Sequence, residues 1–274
     1  MKISSLLLLL SVITLSGCSD YEKLLKSDDF DLKSERAKAY YNEGDYARAL
    51  PLLDQLLTVR MGTSEEEEIR YYIAYCYYGQ SQFLIASALF KNFFKSFPRS
   101  YRAEEALFQN AYSLYKASPR IDLEQSQTIN AINEFQYFVD TYKKSERVAE
   151  ANELMDEMRK KLEEKEYNSA MLYYNTENYQ AAAVTFENLL QQFPETSRAE
   201  DIYLLVVRSY FNYAGQSVPC KKAERYDLSI KSCSQFGEQY PKSDLLPIAE
   251  ALRDRAKDLK EKALKEKENY NCDE

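Results

Sequence analysis

The sequence predicts an all-α protein, a solenoid of about five helix-turn-helix repeats closed by a C-terminal capping helix. Three observations carry this. The pattern A-x2-Y-x8-A occurs three times, as Ala37, Tyr40 and Ala49, as Ala74, Tyr77 and Ala86, and as Ala170, Tyr173 and Ala182. Self-similarity of this kind marks a chain built from stacked supersecondary units. Six glycines and seven prolines in 274 residues are too few for the turns of a sheet protein, and Ala, Leu, Glu, Lys and Gln dominate the remainder.

The N-terminus reads as an address. Met1-Lys2 precedes an apolar run from Ile3 to Leu15 and then Ser16-Gly17-Cys18, the order of a secretory signal. The run is too short for a bilayer, which needs roughly twenty apolar residues. Leu15-Ser16-Gly17-Cys18 resembles a bacterial lipobox, which implies that residues 1–17 are a lipoprotein signal peptide and that Cys18 becomes the acylated first residue. Residues 18–33 are then expected to be a lipidated linker. By resemblance to lipoprotein sorting, Ser19 favours the outer membrane, with the chain lipid-anchored on its periplasmic face.

The repeats follow in order. Four residues beyond the last alanine of each signature stands Leu53, Phe90 or Phe186, and seven beyond stands Leu56, Phe93 or Leu189; this spacing puts alanine and both large residues on one helical face. Gly44-Asp45-Tyr46, Gln80-Ser81-Gln82-Phe83 and Glu177-Asn178-Tyr179 make the polar turn between paired helices, and Phe97-Pro98, Phe193-Pro194 and Tyr240-Pro241 stop the second helix. Two copies have longer turns: Ala111 pairs with Ala131, Phe135 and Phe138 across Pro119 to Gln127, and Val207 and Tyr210 pair with Ser229, Cys233 and Phe236 across Gly215 to Pro219. Residues 34–145 therefore form an N-terminal half of repeats one to three. Residues 146–274 form a C-terminal half: a long connecting helix over 146–175 with Val148, Ala151, Met155, Met158 and Leu162 as its stripe, repeats four and five, and the capping helix with Ile248, Leu252, Leu259 and Ala263 as its apolar side. The connecting helix is long enough to tie the halves together as one rigid body. A terminal repeat needs such a polar outer face.

Composition narrows function. There is no histidine, so Ser/His and Cys/His catalysis and His-liganded metals are excluded. We expect no catalytic residues, no cofactor and no metal. A formal net charge of −8 without a basic stripe argues against nucleic acid, and the absence of tryptophan weakens a sugar-stacking platform. The five cysteines, Cys18, Cys76, Cys220, Cys233 and Cys272, include no C-x-x-C. If 222–240 and 246–270 pair antiparallel, Cys272 ends near Cys220, and a Cys220–Cys272 disulfide is expected; Cys220 and Cys233, roughly 16 Å apart along one helix, should not pair.

Twenty-four tyrosines divide into two sets. Tyr40, Tyr77, Tyr173 and Tyr210 take the packing position of the repeat and belong to the core. A second row lies about 100° further round the first helices: Tyr41; Tyr71, Tyr75 and Tyr78; Phe108, Tyr112 and Tyr115; Tyr167, Met171 and Tyr174. Such a row serves either as a peptide-binding groove for an extended segment or as packing between repeats, since both uses favour tyrosine. Lys38 is the lone cation read on this face. Arg198, in Ser197-Arg198-Ala199-Glu200-Asp201, is either a solvated first-turn residue or an interface anchor.

The repeat pattern resembles the tetratricopeptide repeat, in which the second row lines the concave surface. The stretch Lys165 to Arg208, with Glu166-Tyr167-Asn168-Ser169-Ala170, Tyr173-Tyr174, Glu177-Asn178-Tyr179, Gln191-Gln192-Phe193-Pro194-Glu195-Thr196 and Ser197-Arg198-Ala199-Glu200-Asp201, resembles the BamD family of outer-membrane β-barrel assembly lipoproteins. That resemblance implies a non-catalytic scaffold of the BAM complex. It also implies a BamA-like POTRA protein and other BAM lipoproteins as partners, C-terminal strands of unfolded barrel proteins as substrates on the N-terminal repeats, and Arg198 as a BamA contact. The alternatives are another repeat lipoprotein serving peptidoglycan or Tol-Pal machinery, or a SusD-like glycan-binding lipoprotein.

Overall fold

A computed structural model of the chain describes residues 20–268 and residue 270. Every regular element among them is helical. After α1 (20–26) come α2 (Phe30–Asn42), α3 (Tyr46–Arg60), α4 (Glu66–Gly79), α5 (Phe83–Ser96), α6 (Ala103–Ala117) and α7 (Ser126–Thr141). Next are α8 (Val148–Asn175), α9 (Tyr179–Gln192), α10 (Ala199–Gly215), α11 (Pro219–Gln239) and α12 (Leu246–Lys267). Five helix pairs result: α2 with α3, α4 with α5, α6 with α7, the end of α8 with α9, and α10 with α11. None of the described helices is long and apolar enough to cross a membrane. The expected signal peptide, 1–17, lies outside the described residues.

The chain divides into two compact units between Met158 and Arg159, inside α8. The expected boundary at 145/146 is thereby moved, because Ala151, Met155 and Met158 are buried in one cluster with Leu107, Phe135 and Phe138 and so belong with repeat three. In unit 1, Ala37, Ala49, Ala74, Ala86, Ala111 and Ala131 have no exposed surface, and neither do Ala170 and Ala182 in unit 2. The large residues expected beside them are equally enclosed: Leu53, Leu56, Phe90, Phe93, Phe186 and Leu189 expose at most 1%.

Three expectations are corrected. Residues 20–33 are not a linker: α1 packs Tyr21, Leu24 and Leu25 against the first core, the i, i+3, i+4 stripe of an amphipathic helix. The Tyr21 hydroxyl donates to the Arg48 carbonyl at 2.9 Å, and buried Lys33 reaches Leu25 O and Gln55 Oε1. Tyr173 is not core but 39% exposed; it stands on the first helix of unit 2, where no earlier repeat of that unit covers its face. Ile248 is 40% exposed, and the capping helix instead turns in Ala249, Ala256 and Ala263, with Leu252 and Leu259 beside them.

The tight turns share one backbone form. The N–H groups of Asp45, Gln82 and Asn178 donate to the carbonyls of Tyr40, Tyr77 and Tyr173 at 2.8–2.9 Å, so each signature tyrosine also anchors its turn. The preceding residue is left-handed in all three: Gly44 at φ 76°, Ser81 at 59° and Glu177 at 61°. Only glycine adopts that region without steric cost, about 1–2 kcal/mol for other residues. Space is open around a Cβ at Gly44, so Gly44→Ala tests the backbone alone. It should destabilise unit 1 by about 1 kcal/mol, and Ser81→Gly should stabilise it by a similar amount, read as opposite shifts of the urea midpoint.

Candidate functional site

A recurring joint fastens consecutive first helices. The Ser or Thr three residues after the stop aromatic donates its hydroxyl to a glutamate on the preceding first helix: Ser100 to Glu67, Ser145 to Glu104, Thr196 to Glu163 and Ser243 to Glu200, at 2.5–2.7 Å. Each of these oxygens also accepts from the backbone N–H two residues on, at Arg102, Arg147, Arg198 and Leu245. One hydroxyl thus both starts a helix and ties it to its neighbour, a hydrogen bond to a charged acceptor being worth about 1.5–3 kcal/mol.

The arginine of the same segment completes the joint. Arg102 approaches Glu68 at 3.5 Å and lies 4.9 Å over the Tyr71 ring. Arg147 pairs with Glu105 at 2.8 Å and lies 4.4 Å over Phe108. Arg198 pairs with Glu163 at 3.1 Å and Glu164 at 2.9 Å and lies 4.3 Å over Tyr167. Burial works against the Arg198 charge, but the two carboxylates outweigh it and hold its pKa above the usual value. A planar guanidinium can stack and fork at once, which an ammonium cannot. At the last joint Leu245 and buried Leu204 replace arginine and aromatic and share one apolar cluster.

These arginines correct the reading of Lys38 as the lone cation on the aromatic face. Lys38 pairs with Glu68 at 2.6 Å, the carboxylate that Arg102 also approaches, so each cation there is already matched. The acid pairs Glu67-Glu68, Glu104-Glu105 and Glu163-Glu164 were visible as a repeated motif four and three residues before an aromatic. Sequence reasoning missed their role because Glu67-Glu68 and Glu104-Glu105 sit in first helical turns, where acids are expected anyway at the positive end of the helix dipole, while Glu163-Glu164 lie within the long α8 among other charged residues and look like a solvated face.

The row of groove candidates separates into tied and untied members. Phe108 is buried at 2% exposure, in the core with Phe135 and Phe138; it is no groove residue. Tyr71 donates to Tyr75 at 3.4 Å, Tyr75 to Glu105 at 2.6 Å, and Tyr115 to Glu157 at 3.0 Å. Tyr75 also packs edge-on to Phe90, and burial, with the Glu105 hydrogen bond, raises its pKa well above the usual tyrosine value. Tyr41 packs against Tyr72 with centroids 4.4 Å apart and planes tilted 35°. Tyr78 and Tyr112 are different: half-buried, neighbours across repeats two and three, rings 6.4 Å apart and tilted 31°, with no side-chain hydrogen bond from either hydroxyl among the described residues. In unit 2, Tyr167 sits under Arg198, and Tyr174 packs edge-on to Tyr179.

The thiols are inert where they are described. Burial raises Cys76 to about 12 and Cys233 to about 11, so neither is a thiolate at neutral pH. Cys220 is disulfide-bonded. Cys18 and Cys272 lie outside the described residues.

Residues 33–228 match the model of the YfiO family, described as an outer membrane lipoprotein. The chain belongs to that family. A putative outer membrane protein assembly factor BamD of Aquifex aeolicus (strain VF5) is 25% identical over 190 residues, 69% of this chain and 62% of the relative; the chain thus spans less than two thirds of that relative's length. Among solved structures, the TPR2AB-domain:pHSP90 complex of yeast Sti1 is similar at 9% identity over 83% of this chain and 98% of that one, with a TM-score of 0.38. The TPR domain of P58(IPK) is similar at 16% identity over 91% and 69%, with a TM-score of 0.41.

The joints predict a graded substitution series. Arg102, whose side chain is 16% exposed, should cost about 1–2 kcal/mol when replaced by alanine. Arg102→Lys should recover less than half of that, measured by thermal denaturation, since charge alone does not restore the stack on Tyr71.

Proposed function

We propose, from that membership, that the chain is a non-catalytic scaffold for outer-membrane β-barrel assembly, anchored on the periplasmic face through an acylated Cys18. Unfolded barrel segments dock on the aromatic row of unit 1, and a BamA-type POTRA partner docks on unit 2, with other BAM lipoproteins as further partners. The pair Tyr78 and Tyr112 carries the first assignment. Alternate side chains of an extended strand are roughly 6.7 Å apart, close to the 6.4 Å between these two rings, and their hydroxyls, which make no side-chain hydrogen bond among the described residues, suit an amide-bearing segment. The partly exposed guanidinium of Arg198 supports the second: its side chain keeps 32% exposure although it is ion-paired.

Arg147 provides the control for Arg198, because it makes the same joint with 36% exposure in unit 1. Arg198→Ala should abolish capture of a purified POTRA-domain partner while Arg147→Ala, equally damaging to its joint, leaves capture intact; equal effects would return Arg198 to a purely structural role. Tyr112→Ala should weaken binding of a peptide from the C-terminal strand of a barrel protein about tenfold with helical circular dichroism unchanged, and undiminished affinity would remove the row from the substrate site. The proposed Cys220–Cys272 bond predicts two titratable thiols, Cys76 and Cys233, in the denatured, non-reduced mature protein; four would exclude it.

A further inference from the structure

One three-helix module occurs twice in the chain in the same register. Phe90, Arg102 and Ala111 correspond to Phe186, Arg198 and Val207, and Phe138 corresponds to Phe236. In the first copy, α5–α6–α7, a chain of polar side chains plugs the furrow between the two outer helices. Lys91 pairs with Glu134, the Asn110 amide donates to Glu134 at 2.6 Å, and the Ser87 hydroxyl donates to Asn110 at 2.7 Å. Buried polar groups survive because each satisfies the next.

The second copy, α9–α10–α11, has lost the plug. Ala183 stands for Ser87, Val206 for Asn110 and Ser232 for Glu134, while Lys91 is replaced by a residue of opposite charge, Glu187. A cleft of about 470 Å³ opens in that place, lined by Glu187, Tyr203, Val206 and Tyr210 with Gln191 and Gln235 along its walls. The Tyr210 hydroxyl, where repeat three has Leu114, lies 3.0 Å from both Glu187 oxygens. No lysine or arginine among the described residues ion-pairs with Glu187, although a carboxylate can accept about four hydrogen bonds. Lys231 lines the same cleft beyond ion-pair distance.

We propose that this cleft receives a basic side chain, arginine foremost, presented by a polypeptide partner. Its guanidinium would fork onto Glu187, in the position that the missing cation vacates, and lie against Tyr203 and Tyr210, whose ring faces attract a cation. Gln191 and Gln235 offer amides to the backbone on either side. Two charges line the cleft, Glu187 and Lys231; the one that meets the Tyr210 hydroxyl and stands where repeat three has Lys91 is the Glu187 carboxylate, so the group that enters at that position is a basic side chain of a peptide. This site lies within unit 2, on residues distinct from Arg198 and the aromatic row, and it stands whether or not the assembly role above holds.

The test uses the full chain purified in detergent and fluorescein-labelled, end-blocked decapeptides of Ala, Gly and Ser with one central Arg, Leu or Glu. Fluorescence anisotropy should show the Arg peptide binding at least about tenfold tighter than the Leu or Glu peptide. Glu187→Gln, which preserves volume, should erase that preference. Rebuilding the plug of repeat three, with A183S, E187K, V206N and S232E together, should abolish binding while helical circular dichroism persists. Equal binding of the three peptides, no binding at all, or a preference that survives Glu187→Gln would each overturn the proposal. If the rebuilt plug does not fold, Glu187→Gln decides alone.

Discussion

Every helix pair in this chain meets at a contact that admits little more than a methyl group. Ala37 with Ala49, Ala74 with Ala86, Ala111 with Ala131, and Ala170 with Ala182 all sit there with no exposed surface. A larger residue at such a point forces the backbones apart or drives side chains off their rotamers, at about 1–3 kcal/mol. Repeat five keeps the constraint by a different route, with Val207 on one helix and Ser229 on the other, both at 0%. Because the two axes are held this close, residues four and seven positions further on reach across the pair, and Phe90, Phe135, Phe186 and Phe236 close the space between repeats.

The polar joints depend on that spacing. A hydroxyl such as Ser100 reaches Glu67 at 2.5 Å only because the next first helix begins at a fixed distance from the previous one. The arginines then consume much of the aromatic face: Tyr71, Phe108 and Tyr167 are each covered by a guanidinium. What remains for a partner is set by subtraction. Tyr78 and Tyr112 are left with unshared hydroxyls, and in unit 2 the replacement of four plugging residues leaves an open cleft around Glu187.

Most of the fold was legible because apolar periodicity is local. Alanine and phenylalanine at i, i+4 and i+7 announce a buried face whatever the partner, and all the residues so placed in the three signature repeats are buried. The joints were not legible, since they link residues 33 to 43 positions apart through side chains that look like ordinary helix acids and caps. Position in a unit also overrode pattern. Tyr173 matches Tyr77 in sequence and lacks its cover, and Ile248 yields to Ala249 because the last helix must lie close against α11. The candidate site was half legible: its row of aromatics could be drawn from spacing, while the division into tied and untied rings required the acids and arginines around them.

The last joint keeps the hydroxyl–carboxylate bond of Ser243 to Glu200 but sets hydrocarbon, Leu204 with Leu245, where the earlier ones place an arginine paired with a carboxylate. Ionic pairs are screened as electrolyte concentration rises, while excluded salts strengthen apolar contact. The two kinds of seam therefore respond differently to added electrolyte: salt screens the ion pairs of the earlier seams, while a strongly excluded salt such as sulfate tightens the apolar contact of the last.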